Sequence, residues 1–300
     1  MNSTLKVWTG LGLATALMGA GLTGCAGEGG ENGEGGESAV AGDAGEGEGG
    51  TGPGEGGGEG GGEAGSGEGG EGEGGEGEGG EGEGGVATGS AGSDPVVYGS
   101  ALAIVEAHAL AARDAYAVGK TDAAAEMFAH PVSEVLADMA PVFTTLGVDD
   151  FTAQMSEAST AALKADNKEG VEKAYAAISA ALQDAAEKAP KSELSAGAVA
   201  AGITADQIGR AASMYGEASS GTAYEPYLDG YGFYKAAAAK FKRNGAAIET
   251  YNSGLHSDIK AALDLLASAY PGAERPDTFD VQQGQLLGAS SKVNLGLPTA

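Results

Sequence analysis

Residues 26–92 confine folding to the rest of the chain. This stretch is almost entirely Gly and Glu, and Glu-Gly-Glu-Gly-Gly recurs three times in tandem from Glu71 to Gly85. It contains 17 acidic residues and no Lys or Arg, so it carries 17 of the 27 net negative charges. Glycine maximises the backbone entropy that folding must overcome, and the carboxylates repel one another. No apolar side chain recurs often enough to offset either effect. The expected state is a solvated coil spanning roughly 45 Å by random-flight scaling, further stretched by its charge. Its acidity repels phosphate backbones, which argues against a nucleic-acid partner. The regular Glu spacing lacks the Asp-x-Asp-x-Asp-Gly geometry of a defined calcium loop. A core can form only on either side of this tract.

On the N-terminal side, Met1 and Lys6 give a small positive charge. Val7 to Leu22 is apolar and rich in small residues, about 16 positions against the roughly 20 needed to cross a bilayer as a helix. A basic start, a short apolar centre and small residues before a boundary describe a signal peptide. The stretch closes on Leu22-Thr23-Gly24-Cys25, and Cys25 is the only cysteine in the chain. This arrangement resembles the lipobox of bacterial lipoproteins. The resemblance implies that residues 1–24 are removed and that the Cys25 thiol and amine receive acyl chains. It also implies that the membrane becomes a partner through the N-terminal lipid, since two or more chains give stable anchoring. In enteric lipoproteins an Asp after the cysteine retains the protein at the inner membrane. Ala26 at that place implies the outer membrane, with the domain periplasmic or surface-exposed. No cysteine remains for a disulfide, and about 205 residues suffice for a core without one.

From about residue 93 the composition changes. Glycine thins out, alanine dominates, and apolar residues recur every three or four positions, as helices require. Tyr98, Leu102, Val105, Ala109, Ala112 and Tyr116 form one such stripe. Val118-Gly119-Lys120-Thr121 reads as a turn, with a second helix over 122–129 and a break at Pro131 before a third reaching Phe143. Further helices are expected over 150–165, 168–188, 204–217, 224–243 and 255–270, with a short one within 281–297. Thr204-x-x-Gln207 reads as a capping box and Asn244-Gly245 as a C-cap. No later apolar run reads as long enough to cross a bilayer. The fold class is all-α: a bundle of about six to eight helices over 93–300, preceded by a lipidated linker (25–92) and a leader (1–24). Its surface is mildly acidic, with a net charge near −11.

Three histidines, His108, His130 and His256, carry the imidazoles of the chain. If the helices around Gly119 form an antiparallel hairpin, His108 and His130 each lie 11 residues from the turn and share a layer. Glu134 follows about one helical turn beyond. Two imidazoles and a carboxylate in one layer suit a transition metal. A hydrogen-bonded polar cluster between helices is the alternative reading. His130 precedes Pro131, which disfavours helical geometry there and sets it at the start of the next helix. His256 lies at a helix start among polar residues and is expected at the surface.

Tyr224, Tyr227, Tyr231 and Tyr234 are spaced 3, 4 and 3 apart, a phenolic stripe, while Glu225 and Asp229 share another helix face. Glu225, Tyr227, Asp229 and Tyr231 are candidates for a ligand-facing wall, or else aromatics of ordinary helix packing. No nucleophile–base pair, phosphate loop or dinucleotide fingerprint stands out; Gly230-x-Gly232 lacks a preceding strand. The domain is therefore expected not to be an enzyme, an uncharacterised hydrolase being the alternative.

Two segments, Gly119 to Val135 and Tyr227 to Phe233, resemble helical extracytoplasmic proteins akin to imelysin-like and Efe-type iron-uptake components. The resemblance covers about 60 residues and implies a helical bundle concerned with iron, with iron as the candidate cofactor at His130 and Glu134. The His-x-x-Glu motif of imelysins appears here with one more residue, as His130-x-x-x-Glu134. The sequence thus leads to a lipid-anchored binding module for a metal ion or metal complex. The alternative is a structural or protein-interaction lipoprotein of the envelope with a protein partner and no metal.

Overall fold

The computed structural model describes residues 88–298. The leader, Cys25 and nearly all of the acidic linker lie outside the described residues. Within them the fold is all-α with no strand. The first helix, α1 (Pro95–Ala117), is set by its N-cap. The Asp94 carboxylate accepts from Val96 N at 2.7 Å and Val97 N at 3.3 Å, and Pro95 fills the first position, where no N–H is needed. Gly119, at φ +81°, adopts the left-handed conformation that reverses the chain. The chain then returns as α2 (Thr121–Pro131).

The central element is α1. At 23 residues it is long and apolar enough for a membrane span, a property missed in the sequence, yet 72% of its apolar window is buried inside the domain. A helix apolar on all sides belongs in the middle of a bundle. Its neighbours are α2, α5 (Lys168–Ala186), α6 (Ala196–Ser220) and α7 (Glu225–Tyr251). Ala101, Ala107, Ala111, Ala112 and Ala115 are fully buried on it and let those neighbours come close. The approach of α7 is backbone to backbone: a Cβ on Gly232 would lie 2.6 Å from the Ala107 carbonyl oxygen. The periphery comprises α3 (Ala137–Leu146), α4 (Thr152–Ala162), α8 (Ser253–Ala269) and α9 (Gln283–Leu295).

Three predicted boundaries differ from the observed ones. Pro131 does not separate two helices. The chain runs from α2 through a π turn (Val132–Leu136) directly into α3, and the Ala137 N–H bonds back five residues to the Val132 carbonyl. Counting this run as one helix leaves eight in the described residues, within the expected range. Proline has no N–H to give and its ring crowds the preceding carbonyls; a wider turn just beyond it keeps the helix continuous. His130 is therefore in the last turn of α2 and not at a helix start.

The second difference is α6, which begins eight residues before Thr204. Ser195 is its cap, accepting from Ala198 N at 3.2 Å. Thr204 lies mid-helix, its hydroxyl donating to Ala200 O at 2.7 Å. The apolar face of Ala198, Ala200, Ala201 and Ile203 is buried, and that burial outweighs the local capping signal. Third, Asn244-Gly245 does not end α7. Asn244 Nδ2 donates to Lys240 O at 2.9 Å within the helix. The break falls at Asn252, whose carbonyl side chain caps α8 through Leu255 N at 3.1 Å. α6 and α7 form a long antiparallel pair: Gly197 faces the Ala247 carbonyl near one end and Gly230 meets Met214 near the other.

Candidate metal centre

The hairpin around Gly119 brings His108 on α1 and His130 on α2 into one layer, with ring centroids 6.0 Å apart. Glu134, on the π turn, joins them. Each of the three offers one ligand atom, and these atoms all lie within 4.8 Å of one another. Glu134 lies four residues after His130, on the wide turn, and its carboxylate faces the imidazole layer.

His108 is 2% exposed. Its Nδ1 lies 2.9 Å from Ile104 O. A carbonyl only accepts, so Nδ1 carries the proton and Nε2 presents its lone pair. That lone pair faces Asp229 Oδ1 at 3.5 Å and Glu134 Oε2 at 3.8 Å. Desolvation by burial, with smaller contributions from His130 and Arg210, outweighs the Ile104 bond and holds the imidazole down at about 4. At neutral pH the ring is uncharged, as a metal ligand must be. The Nε2 lone pair and two carboxyl oxygens thus face one another, an arrangement that suits a bound cation.

His130 contributes differently. Its Nε2 lies 3.4 Å from Glu225 Oε1, and its Nδ1 is buried with no hydrogen-bond partner among the described residues. Asp229, 2% exposed, and Glu225 come from one face of α7, four residues apart. Phe233 continues that face and packs edge-on against His108, ring centroids 5.8 Å apart, which keeps water from that side. Arg210, on α6, lies over Phe233 at 5.9 Å and is bound to Asp206 at 3.1 Å.

His108, His130, Glu134, Glu225 and Asp229 are thus brought together. Tyr227 and Tyr231 are not part of this cluster. The Tyr231 phenol donates to Asp114 Oδ2 at 2.7 Å, and Tyr227 to Gly272 O at 2.7 Å. Tyr224 likewise donates to Ala273 O at 2.7 Å. The phenolic stripe ties α7 to α1 and to the segment after α8. His256 is half-buried against Phe241, at 4.8 Å, and plays no part. Sequence reasoning missed Arg210, Phe233 and the π turn. The one available signal for Arg210 was that it is the only Lys or Arg on its helix, set between Ile208 and Ala211-Ala212.

Metal bonds of about 2.0–2.2 Å place ligand atoms roughly 3–4 Å apart. The present spacings exceed that by no more than about an ångström, within reach of side-chain rotation. The donor set of two imidazoles and a carboxylate, with Asp229 Oδ1 3.5 Å from His108 Nε2, suits Fe(II), Mn(II) or Zn(II) over soft, thiolate-seeking ions. Compared with protein-family models, curated proteins and solved structures, the chain matches none.

Proposed function

We propose that this chain is a lipid-anchored extracytoplasmic module that binds a transition-metal ion through His108, His130, Glu134 and Asp229, without catalysing a reaction. The observation that carries the reading is the convergence of the His108 Nε2 lone pair with two carboxylate oxygens at 3.5 and 3.8 Å in a buried layer. The kinship to imelysin-like and Efe-type iron-uptake proteins belongs to the same proposal, with iron as the ion. The lipid anchor rests on Leu22-Thr23-Gly24-Cys25 and on the acidic linker that follows. It places the domain at the cell envelope, on the outer membrane by the Ala26 criterion.

The test is metal content. Full-length protein incubated with Fe(II) or Zn(II) and passed through a desalting column is expected to retain about one ion per chain by mass spectrometry. His130→Ala and His108→Ala are expected to retain almost none. Equal, near-zero content in all three removes the metal reading. Membrane fractionation tests the anchor: Cys25→Ala is expected to move the protein to the soluble fraction.

A second reading is favoured by Arg210, whose charge bears on His108. Its guanidinium can balance the buried carboxylates, making the layer a structural polar cluster of a protein-interaction lipoprotein. That reading expects a partner whose capture survives loss of both histidines.

A further inference from the structure

A cavity of 710 Å³ lies between α5 on one side and α6 and α7 on the other, with α1 common to both walls. None of the residues of the metal centre lines it. Its size falls in the range of small-molecule sites, and so does its chemistry, a mainly apolar lining with a few placed polar groups. Leu102, Leu182 and Ile203 provide aliphatic surface, flanked by the rings of Tyr98 and Tyr175. The Tyr98 phenol is already committed, donating to Ala185 O at 2.8 Å.

Charge enters from α1 and α7. Arg243 grips Glu106 with two parallel bonds of 2.9 and 3.0 Å, so these two neutralise each other. Lys240 lies one turn earlier on α7 and also lines the cavity. Among the described residues no carboxylate stands within ion-pair distance of its ammonium. Burial, reinforced by Arg243 and partly offset by Glu106, holds it below the ordinary lysine value. Lys240, Arg243 and Glu106 together therefore give the cavity one net positive charge beside an aliphatic and aromatic wall. A desolvated ammonium gains most from a single anionic group that enters with it.

We propose that this cavity binds a small amphipathic monocarboxylate, its aliphatic body between α5 and α6 and its carboxylate on Lys240. The bidentate Arg243–Glu106 pair explains why one negative charge, and not two, is matched. The site is independent of the histidine layer, and failure of either proposal leaves the other standing.

The test uses full-length protein and decanoate, with decyltrimethylammonium as a probe of equal chain length and opposite charge, in titration calorimetry. Decanoate is expected to bind at one equivalent and at least tenfold more tightly than the cationic probe. Lys240→Met, which keeps the stem and removes the charge, is expected to weaken decanoate at least tenfold. Ser179→Trp, on the α5 wall, fills the cavity and is expected to abolish binding, while His108→Ala leaves it unchanged. No decanoate binding, or equal affinity for both amphiphiles, overturns the proposal on the wild-type protein alone. So does unchanged affinity in a Lys240→Met protein with native helical circular dichroism.

Discussion

Replacing Gly232 by alanine places a methyl group against the backbone of α1. Its Cβ would lie 2.6 Å from the Ala107 carbonyl oxygen, 3.0 Å from its carbon and 3.1 Å from the Ala111 methyl. Ordinary contact begins near 3.4 Å, so α1 and α7 must separate by several tenths of an ångström. Overpacking of this kind costs about 1–3 kcal/mol. Backbone atoms give way less than side chains, which points to the upper half of that range. Alanine regains about 1 kcal/mol of helix propensity over glycine. The net loss is about 1–2 kcal/mol, or a melting temperature lower by roughly 3–6 °C for a domain of this size. Gly245 on the same helix is the internal control. Its nearest non-local atom would be His256 Nε2 at 3.7 Å, an ordinary contact. There the propensity gain stands alone, and Gly245→Ala is expected to raise the midpoint by roughly 2–4 °C. The displaced helices also carry His108, next to Ala107, and Asp229. Gly232→Ala is therefore expected to show a smaller metal-induced rise in melting temperature than wild type, and Gly245→Ala an unchanged one. Thermal denaturation by circular dichroism, with and without Zn(II), reads all of this. A Gly232→Ala midpoint at or above wild type would refute the claim that backbone proximity sets the α1–α7 distance.

Other expectations follow from the site and the core. Asp229→Asn keeps the shape of the side chain but removes its charge, and competition against a chelating dye is expected to show at least tenfold weaker metal binding. Tyr231→Phe removes the 2.7 Å bond to Asp114; it is expected to cost about 1–2 kcal/mol in urea denaturation while leaving metal content unchanged. Alkaline stability follows from the phenols. Burial pushes Tyr98, Tyr224 and Tyr227 up to about 12 and also raises Tyr231 and Tyr270. Unfolded tyrosines ionise near pH 10, so this stability is complete below pH 10 and is lost as pH rises through 12. Each fully buried phenol contributes about 1–3 kcal/mol to the loss. Phenolate absorbance is expected to appear together with helix melting, and gradual phenolate formation in a still helical protein would contradict it.

The helical class was legible because Ala-rich segments with apolar residues every third or fourth position have few other ways to bury them. The shared layer of His108 and His130 was legible for a simpler reason: Gly119 marks the turn, and equal distances along two antiparallel helices end at equal heights. Helix ends were less readable. Thr204-x-x-Gln207 and Asn244-Gly245 carry local end signals worth about 1 kcal/mol each. Both lie inside long helices whose buried faces outweigh them. Pro131 misled in the same way, because the sequence offers no sign that a π turn will accommodate it. Tyr227 and Tyr231 share a stripe as predicted, but which neighbour a stripe meets is decided by the packing of distant helices. The same holds for Arg210 and Phe233, which reach the histidine layer only through the α6–α7 pair.

The surplus residue held at Val132–Leu136 links the aim of Glu134 to the anchoring of the segment behind it. Straightening this turn to regular α geometry with no residue removed would swing everything downstream by about 100°. Met139 and Phe143, now interior anchors, would rotate toward solvent. A carboxylate fastened in this manner cannot drift in or out gradually as the chain diverges. It is retained with the whole arm it belongs to, or that arm must be rebuilt around a new register.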